Sequence, residues 1–339
     1  MTAALYLELG FVLIAAAAVS ACLIVALRPL LQRYALARPN ARSSHTLPTP
    51  QGGGIAVVAS VIAVTVLAYV SFGIGLAGLT PLWFLLIAMT LMAIVGAVDD
   101  IRTIEVLPRL LLQALLVGVA LAAIPSEFTI FGALPWWIER ALWLIAGLWF
   151  VNLVNFMDGL DWMTVAETVP LASGLVLIGL TGALPDHAIV AATALVGAML
   201  GFAPFNRPVA RLFLGDVGSL PIGLLLGWML ALLAIRGHLA AALLLPLYYL
   251  ADATVTLMRR IAHGARPWEA HRTHFYQRAT TGGFSVGQVI ARVFIVNVAL
   301  VVLAAISVWM PSRTVEGITL ALGAALVTGL LIVFARGRR

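Results

Sequence analysis

About eleven apolar runs, each of roughly 17–25 residues, follow one another along the chain with only short polar connections between them. They lie near residues 8–27, 52–72, 81–98, 108–124, 136–154, 164–182, 188–205, 218–236, 238–258, 287–309 and 316–335. Each is long enough to cross a bilayer as a helix, so the expected fold class is an all-α polytopic integral membrane protein. Composition agrees: of 339 residues 63% are hydrophobic and 10% charged, outside the range of soluble domains. The first run ends at Arg28 without the charged leader or small-residue cleavage site of a removable signal, so it is expected to stay as a helix. The largest loops, about 28–51 and 259–286, are too short for a separate soluble unit, and residues 1–339 read as one membrane domain. Cys22 is the one cysteine, so there is no disulfide framework and no thiol cluster for zinc.

The chain has no lysine, and its arginines are asymmetric. One set of alternate loops holds Arg28, Arg33, Arg38 and Arg42, then Arg102 and Arg109, Arg207 and Arg211, Arg259 to Arg278, and Arg336 to Arg339. The other set holds Arg140, Arg236 and Arg313. The positive-inside rule makes the rich set cytoplasmic, with the N-terminus periplasmic and the C-terminus cytoplasmic. Basic residues scattered over short loops between spans report topology, and nucleic acid is a poor reading of them.

Four polar clusters interrupt the hydrocarbon: Asp99-Asp100, Asn152-x-x-Asn155-x-x-Asp158-Gly159-x-Asp161, Gly215-Asp216 and His271-x-x-His274. Carboxylates near lipid are costly, so several of them imply chemistry or transport. The arginine assignment puts all four clusters at cytoplasmic span ends, where they can meet. Adjacent Asp99 and Asp100 repel unless a cation or an arginine offsets them. Magnesium suits them, because it takes one or two carboxylates and leaves its other positions to water and phosphates. The same pair would also serve as a solvated helix end.

Asn152, Asn155 and Asp158 recur every third residue, so on a helix they drift slowly around one face, and Gly159 is expected to end that helix. Interhelical hydrogen bonding is the plainer role for the asparagines. Asp216 sits between glycines at a span's start, a place suited to an anion, a metal or a simple helix cap. Histidine and arginine in the His271–Arg278 loop suit a diphosphate; a zinc pair is the lesser alternative, since no carboxylate follows in the usual zinc-hydrolase pattern. A Pro- and Gly-rich entry, His45-Thr-x-Pro-Thr-Pro-x-Gly-Gly-Gly54, completes this surface.

Taken in order, these residues resemble the polyprenyl-phosphate N-acetylhexosamine-1-phosphate transferases across about residues 40–280. The Met157-Asp-Gly-Leu and His-Arg-x-His-x-Tyr-Gln-Arg forms are similar to the branch that starts lipopolysaccharide O-antigen synthesis. The resemblance implies Mg²⁺-dependent transfer (with Mn²⁺ as a substitute) of a sugar-1-phosphate from a UDP-N-acetylhexosamine to undecaprenyl phosphate. The reaction would occur at the cytoplasmic face of a bacterial inner membrane and release UMP, and a homodimer is compatible with it. By matching positions, Asp99 and Asp100 would position the lipid phosphate, Asp158 would act beside them, and Asp216 with Asp100 would hold the metal. Asn152, Asn155 and Asp161 would line the nucleotide pocket. His45, Arg102, His271, Arg272 and His274 would contact substrate phosphates, and Asp252 would stand behind them.

Two departures stand out. Trp162 occupies a position where many members have glycine, which opens the question of whether its ring narrows the sugar pocket. Arg102 and Arg109 stand where some relatives have a lysine after the aspartate pair. Two rivals belong to other classes. A secondary transporter usually shows repeats and mid-bilayer polar groups, whereas these clusters gather at one face. A CDP-alcohol phosphotransferase would need an Asp-Gly followed closely by Ala-Arg, which Met157-Asp158-Gly159-Leu160-Asp161-Trp162 does not supply.

Overall fold

In the computed structural model, residues 3–37, 48–71, 80–122, 124, 129, 134–266 and 271–338 are described. They form thirteen helices: α1 (Ala3–Tyr34), α2 (Gly54–Ser71), α3 (Thr80–Ile101), α4 (Val106–Ala122), α5 (Trp136–Met157), α6 (Met163–Ile178), α7 (Asp186–Asn206), α8 (Asp216–Ile235), α9 (Leu239–Leu244), α10 (Leu247–Ala262), α11 (Phe275–Thr281), α12 (Val286–Trp309) and α13 (Arg313–Arg336). The protein is all-α and polytopic: nine of the described helices, counting α6 with the π-turn that extends it to Ala183, are long and apolar enough to cross a membrane. The only strands among the described residues are two-residue pieces, β1 (Leu36–Ala37) and β2 (Thr49–Pro50), paired antiparallel.

All eleven predicted runs are helical, with two refinements. The fourth, α4, is a shorter apolar helix. The ninth, expected to be continuous over 238–258, is broken into α9 and α10 at Pro246. Proline has no N–H to donate and its ring clashes with the preceding turn, so the helix is interrupted there. Beyond the break α10 is amphipathic, with Arg259 and Arg260 in its last turn.

The centre of the bundle is α7 and α8, the most enclosed of the long helices. Close packing in lipid relies on small residues, because lipid tails are as apolar as side chains and contact itself must supply the attraction. Gly54 of α2 lies directly against Gly218 of α8, and Gly96 of α3 against the backbone of Asp216 and Val217. A Cβ at either place would run into the opposing main chain. These two crossings bring the start of α2 and the end of α3 onto the first turn of α8. Main-chain bonds continue the seam: Phe213 N–H donates to Pro50 O at 2.8 Å, and Gly54 N–H to Leu214 O at 2.8 Å. The described end of the Pro- and Gly-rich entry, residues 50–54, thus pairs with the segment that leads to Gly215 and Asp216.

Candidate functional site

The site forms where α3, α5 and α8 meet at one end of the bundle. Asp100, in the last turn of α3, points at the N-terminus of α8. Its Oδ1 accepts from the Asp216 N–H at 3.0 Å and its Oδ2 from the Val217 N–H at 3.1 Å. A helix N-terminus leaves such donors unpaired and carries partial positive charge, so a carboxylate there is favoured twice. Gly215 makes the approach possible. Its φ of +78° is open to glycine at little cost, and a Cβ there would stand 2.6 Å from Asp100 Oδ2. Asp99 turns the other way: Oδ2 pairs with Arg109 at 2.8 Å and Oδ1 accepts from the Ile104 N–H at 2.6 Å. The arginine that relieves the aspartate pair is therefore Arg109 of α4. Arg102 is exposed on the turn after α3.

From α5, Asn155 donates to Asp216 Oδ1 at 2.7 Å and to Ser219 Oγ at 2.9 Å. Asn152 does not share this face. Its amide donates to Gln113 Oε1 of α4 and to Leu148 O, both at 2.8 Å. A three-residue step falls about 60° short of a full turn. Over one such step that drift carries the side chain from the α8 interface to the α4 interface, so Asn152 bridges helices.

Asp158 follows α5 as its C-cap and accepts from the Thr164 hydroxyl of α6. Burial, reinforced by the charges of Asp100 and Asp161, pushes its carboxyl up to about 7, against the opposing effect of the Thr164 bond. Asp161 accepts from the Ala210 N–H at 3.0 Å and ties down the segment between α7 and α8. Trp162 adopts φ +63°, a left-handed conformation uncommon for a residue with a side chain. Its main-chain N–H donates to Asn206 Oδ1 at 2.8 Å and its indole N–H to Ala203 O at 2.6 Å. The ring is thereby anchored to the end of α7.

These groups enclose a polar cavity of about 230 Å³. Asp100, Asp158, Asp161 and Asp216 all line it, together with Asn155 and Gln51. Gln51 donates to the Asp100 carbonyl at 2.9 Å.

The histidine loop stands behind the cavity wall and does not line it. Its organiser is Asp252 of α10, fully buried, which accepts from the Phe275 N–H at 2.9 Å, the Tyr276 N–H at 3.1 Å and the Tyr248 hydroxyl at 3.2 Å. His274 Nδ1 lies 3.3 Å from the same carboxylate. His271 stacks on His274 at 4.8 Å between ring centroids, and His274 on Tyr276 at 5.7 Å. Burial, with His274 and Arg260 nearby, holds the His271 imidazole down to about 4, so at neutral pH it is an uncharged ring. Arg272 lies on the bend between the two histidines. The loop touches the site through Tyr276, whose hydroxyl donates to Phe156 O at 3.1 Å and packs against Gly159. Arg109, Gln51, Thr164 and Tyr276 were not singled out from the sequence as site residues; Arg109 was noted beside the aspartate pair, Gln51 and Tyr276 lay inside quoted motifs, and Thr164 carried no signal. His45 lies outside the described residues.

Comparison with known proteins gives a consistent picture. Residues 82–235 match the model of glycosyl transferase family 4. The chain is 34% identical over 194 residues to a phospho-N-acetylmuramoyl-pentapeptide-transferase of Shouchella clausii, an alignment covering 52% of this chain and 58% of that one. It is 26% identical over 340 residues to the decaprenyl-phosphate N-acetylglucosaminephosphotransferase of Mycolicibacterium smegmatis, covering 89% and 83%. A Bacillus subtilis relative, described as "Probable undecaprenyl-phosphate N-acetylglucosaminyl 1-phosphate transferase", is 24% identical over 320 residues, covering 86% and 85%.

Proposed function

Since the chain belongs to glycosyl transferase family 4, among the polyprenyl-phosphate sugar-1-phosphate transferases, we propose that it moves an N-acetylhexosamine-1-phosphate from a UDP-sugar onto undecaprenyl phosphate. The reaction takes place at the cytoplasmic face of a bacterial inner membrane and starts a lipid-linked glycan of the O-antigen type. The observation that carries this reading is the convergence of Asp100, Asp158, Asp161 and Asp216, from three separate stretches of chain, on one cavity beside a helix N-terminus. A transporter would place its carboxylates along a path through the bundle.

A magnesium ion fits these residues. Asp100 and Asp216 lie together at the first turn of α8 and both line the cavity, a set of one or two carboxylates with room left for water and phosphate oxygens, which is the donor set that magnesium takes. Asp216 and Asp100 would hold it, and when bound it supplies positive charge to the diphosphate.

An oxygen of the lipid phosphate attacks the phosphorus that bears the sugar. The bond from that phosphorus to the bridging oxygen breaks, and UMP leaves with the electron pair. A phosphate monoester has a second pKa near 6 and is mostly ionised at pH 7, so little proton removal is required. The obstacle is anion meeting anion, and charge neutralisation with in-line placement removes it. Asp100 keeps the α8 N–H groups aligned, Arg109 restrains Asp99, and Asn155 orients Asp216. Asp158 and Asp161 border the donor's side of the cavity. An apolar cavity of about 240 Å³ lined by Trp143, Gly147, Phe150, Gly227 and Leu243 supports a place for the isoprenoid chain.

The test is UMP release by purified protein given undecaprenyl phosphate, Mg²⁺ and a panel of UDP-N-acetylhexosamines, with and without EDTA. Metal-dependent release with one donor is expected. Silence with every donor from folded protein would overturn the reading.

A further inference from the structure

Trp162 is the one residue other than glycine with a positive φ among the described residues, and it occupies the N-cap of α6. A bulky side chain disfavours that left-handed region, so such a residue persists only where its surroundings fix it. Here two of its own donors do so. The main-chain N–H reaches Asn206 Oδ1 at 2.8 Å and the indole N–H reaches Ala203 O at 2.6 Å. Ala203 lies in the last turn of α7, where carbonyls have no partner within the helix, so the indole caps α7 from outside it. Asp161, next to Trp162, accepts from the Ala210 N–H just beyond.

Asn206 is the residue that this latch holds. It is buried, it lines the carboxylate cavity, and its Nδ2 donates to Leu212 O at 2.9 Å. With Oδ1 accepting from Trp162 and Nδ2 donating to Leu212, the amide can be oriented in only one way. One lone pair and one N–H of that amide remain uncommitted. A donor and an acceptor side by side, held rigid and uncharged, suit a neutral polar group better than a phosphate, which offers acceptor oxygens alone.

Trp162 does not line the cavity and its side chain is partly exposed, so its influence on the cavity runs through the amide it holds. Taking the transferase reading as its basis, we propose that Trp162 is a positioning residue that locks Asn206 against the uncharged part of the sugar nucleotide. It governs how tightly the donor binds and leaves the phosphoryl step to the carboxylates.

UMP release is followed while undecaprenyl phosphate and the fastest donor of a UDP-N-acetylhexosamine panel are titrated in turn, with melting temperatures read alongside. Trp162→Phe keeps an aromatic ring without the indole N–H. Its KM for the donor should rise about tenfold, near the worth of one hydrogen bond, with kcat and the KM for undecaprenyl phosphate little changed. Trp162→Gly relieves the positive φ and loses the same bond, so it should show the same split whatever its stability. Asn206→Ala should raise the donor KM as well, and adding Trp162→Phe to it should raise it no further, because both act through one amide. An unchanged donor KM in folded Trp162→Phe overturns the proposal, as do effects of the two substitutions that multiply in the double variant. A fall in kcat with both KM values raised alike reads a structural role only and overturns it too. Wild-type protein that releases no UMP with any donor removes the transferase reading, and the proposal with it.

Discussion

The carboxylate of Asp100 closes the N-terminus of the helix that begins at Asp216, 116 residues further along the chain, accepting from the Asp216 N–H at 3.0 Å. One residue thereby ties α3 to α8 and holds a cavity wall in place. Its two duties can be separated. Asp100→Asn keeps the shape and one of the two cap bonds, so the protein should still fold, with a small loss of stability, while transfer falls by about 10²–10³-fold. Asp100→Ala should in addition lose about 1 kcal/mol of stability as the cap disappears. Thermal melts with UMP release distinguish the two variants, and full activity in Asp100→Asn would remove the charge from the mechanism.

Gly215 should tolerate no side chain. Alanine at φ +78°, ψ 170° is strained by about 1–3 kcal/mol, and its Cβ would press on Asp100 Oδ2. The melting temperature of Gly215→Ala should drop, and activity should drop further than the lost stability explains, because Asp100 is displaced.

Asp216→Asn should abolish transfer in a protein that remains folded and inserted. Undiminished activity of this variant at limiting magnesium would sink the metal assignment to Asp216.

His271 should stay neutral through the physiological range. Its imidazole is held down to about 4, whereas in an unfolded chain it titrates near 6.5. Between those values the unfolded state binds the extra proton, so stability is lost as pH falls through that window and is level above it. A ring resonance of His271 that titrates near 6.5 in labelled protein would contradict the burial on which this rests. His271→Gln should flatten the acid side of the stability curve.

Much of this was legible in the chain. Apolar run length fixes where helices form, because an unpaired backbone in lipid is too costly, and ordered polar clusters at alternate span ends were enough to bring Asp100, Asn155, Asp158 and Asp216 together. Similar-looking residues were harder to divide. Asn152 and Asn155 read alike, yet one bonds Gln113 and the other Asp216. The sequence left the role of Trp162 open, and the structure anchors its indole N–H to Ala203 O.

Sequence alone determined the fold class and the cast of polar residues, since hydropathy and residue chemistry are local properties. Tertiary structure decided which helix each polar group faces, how Asp252 organises the histidine loop, and that Pro246 divides the ninth run. Hydrogen bonds of that kind depend on which backbones lie close together, and here the approach is set by glycine crossings such as Gly54 on Gly218, between residues far apart in the chain.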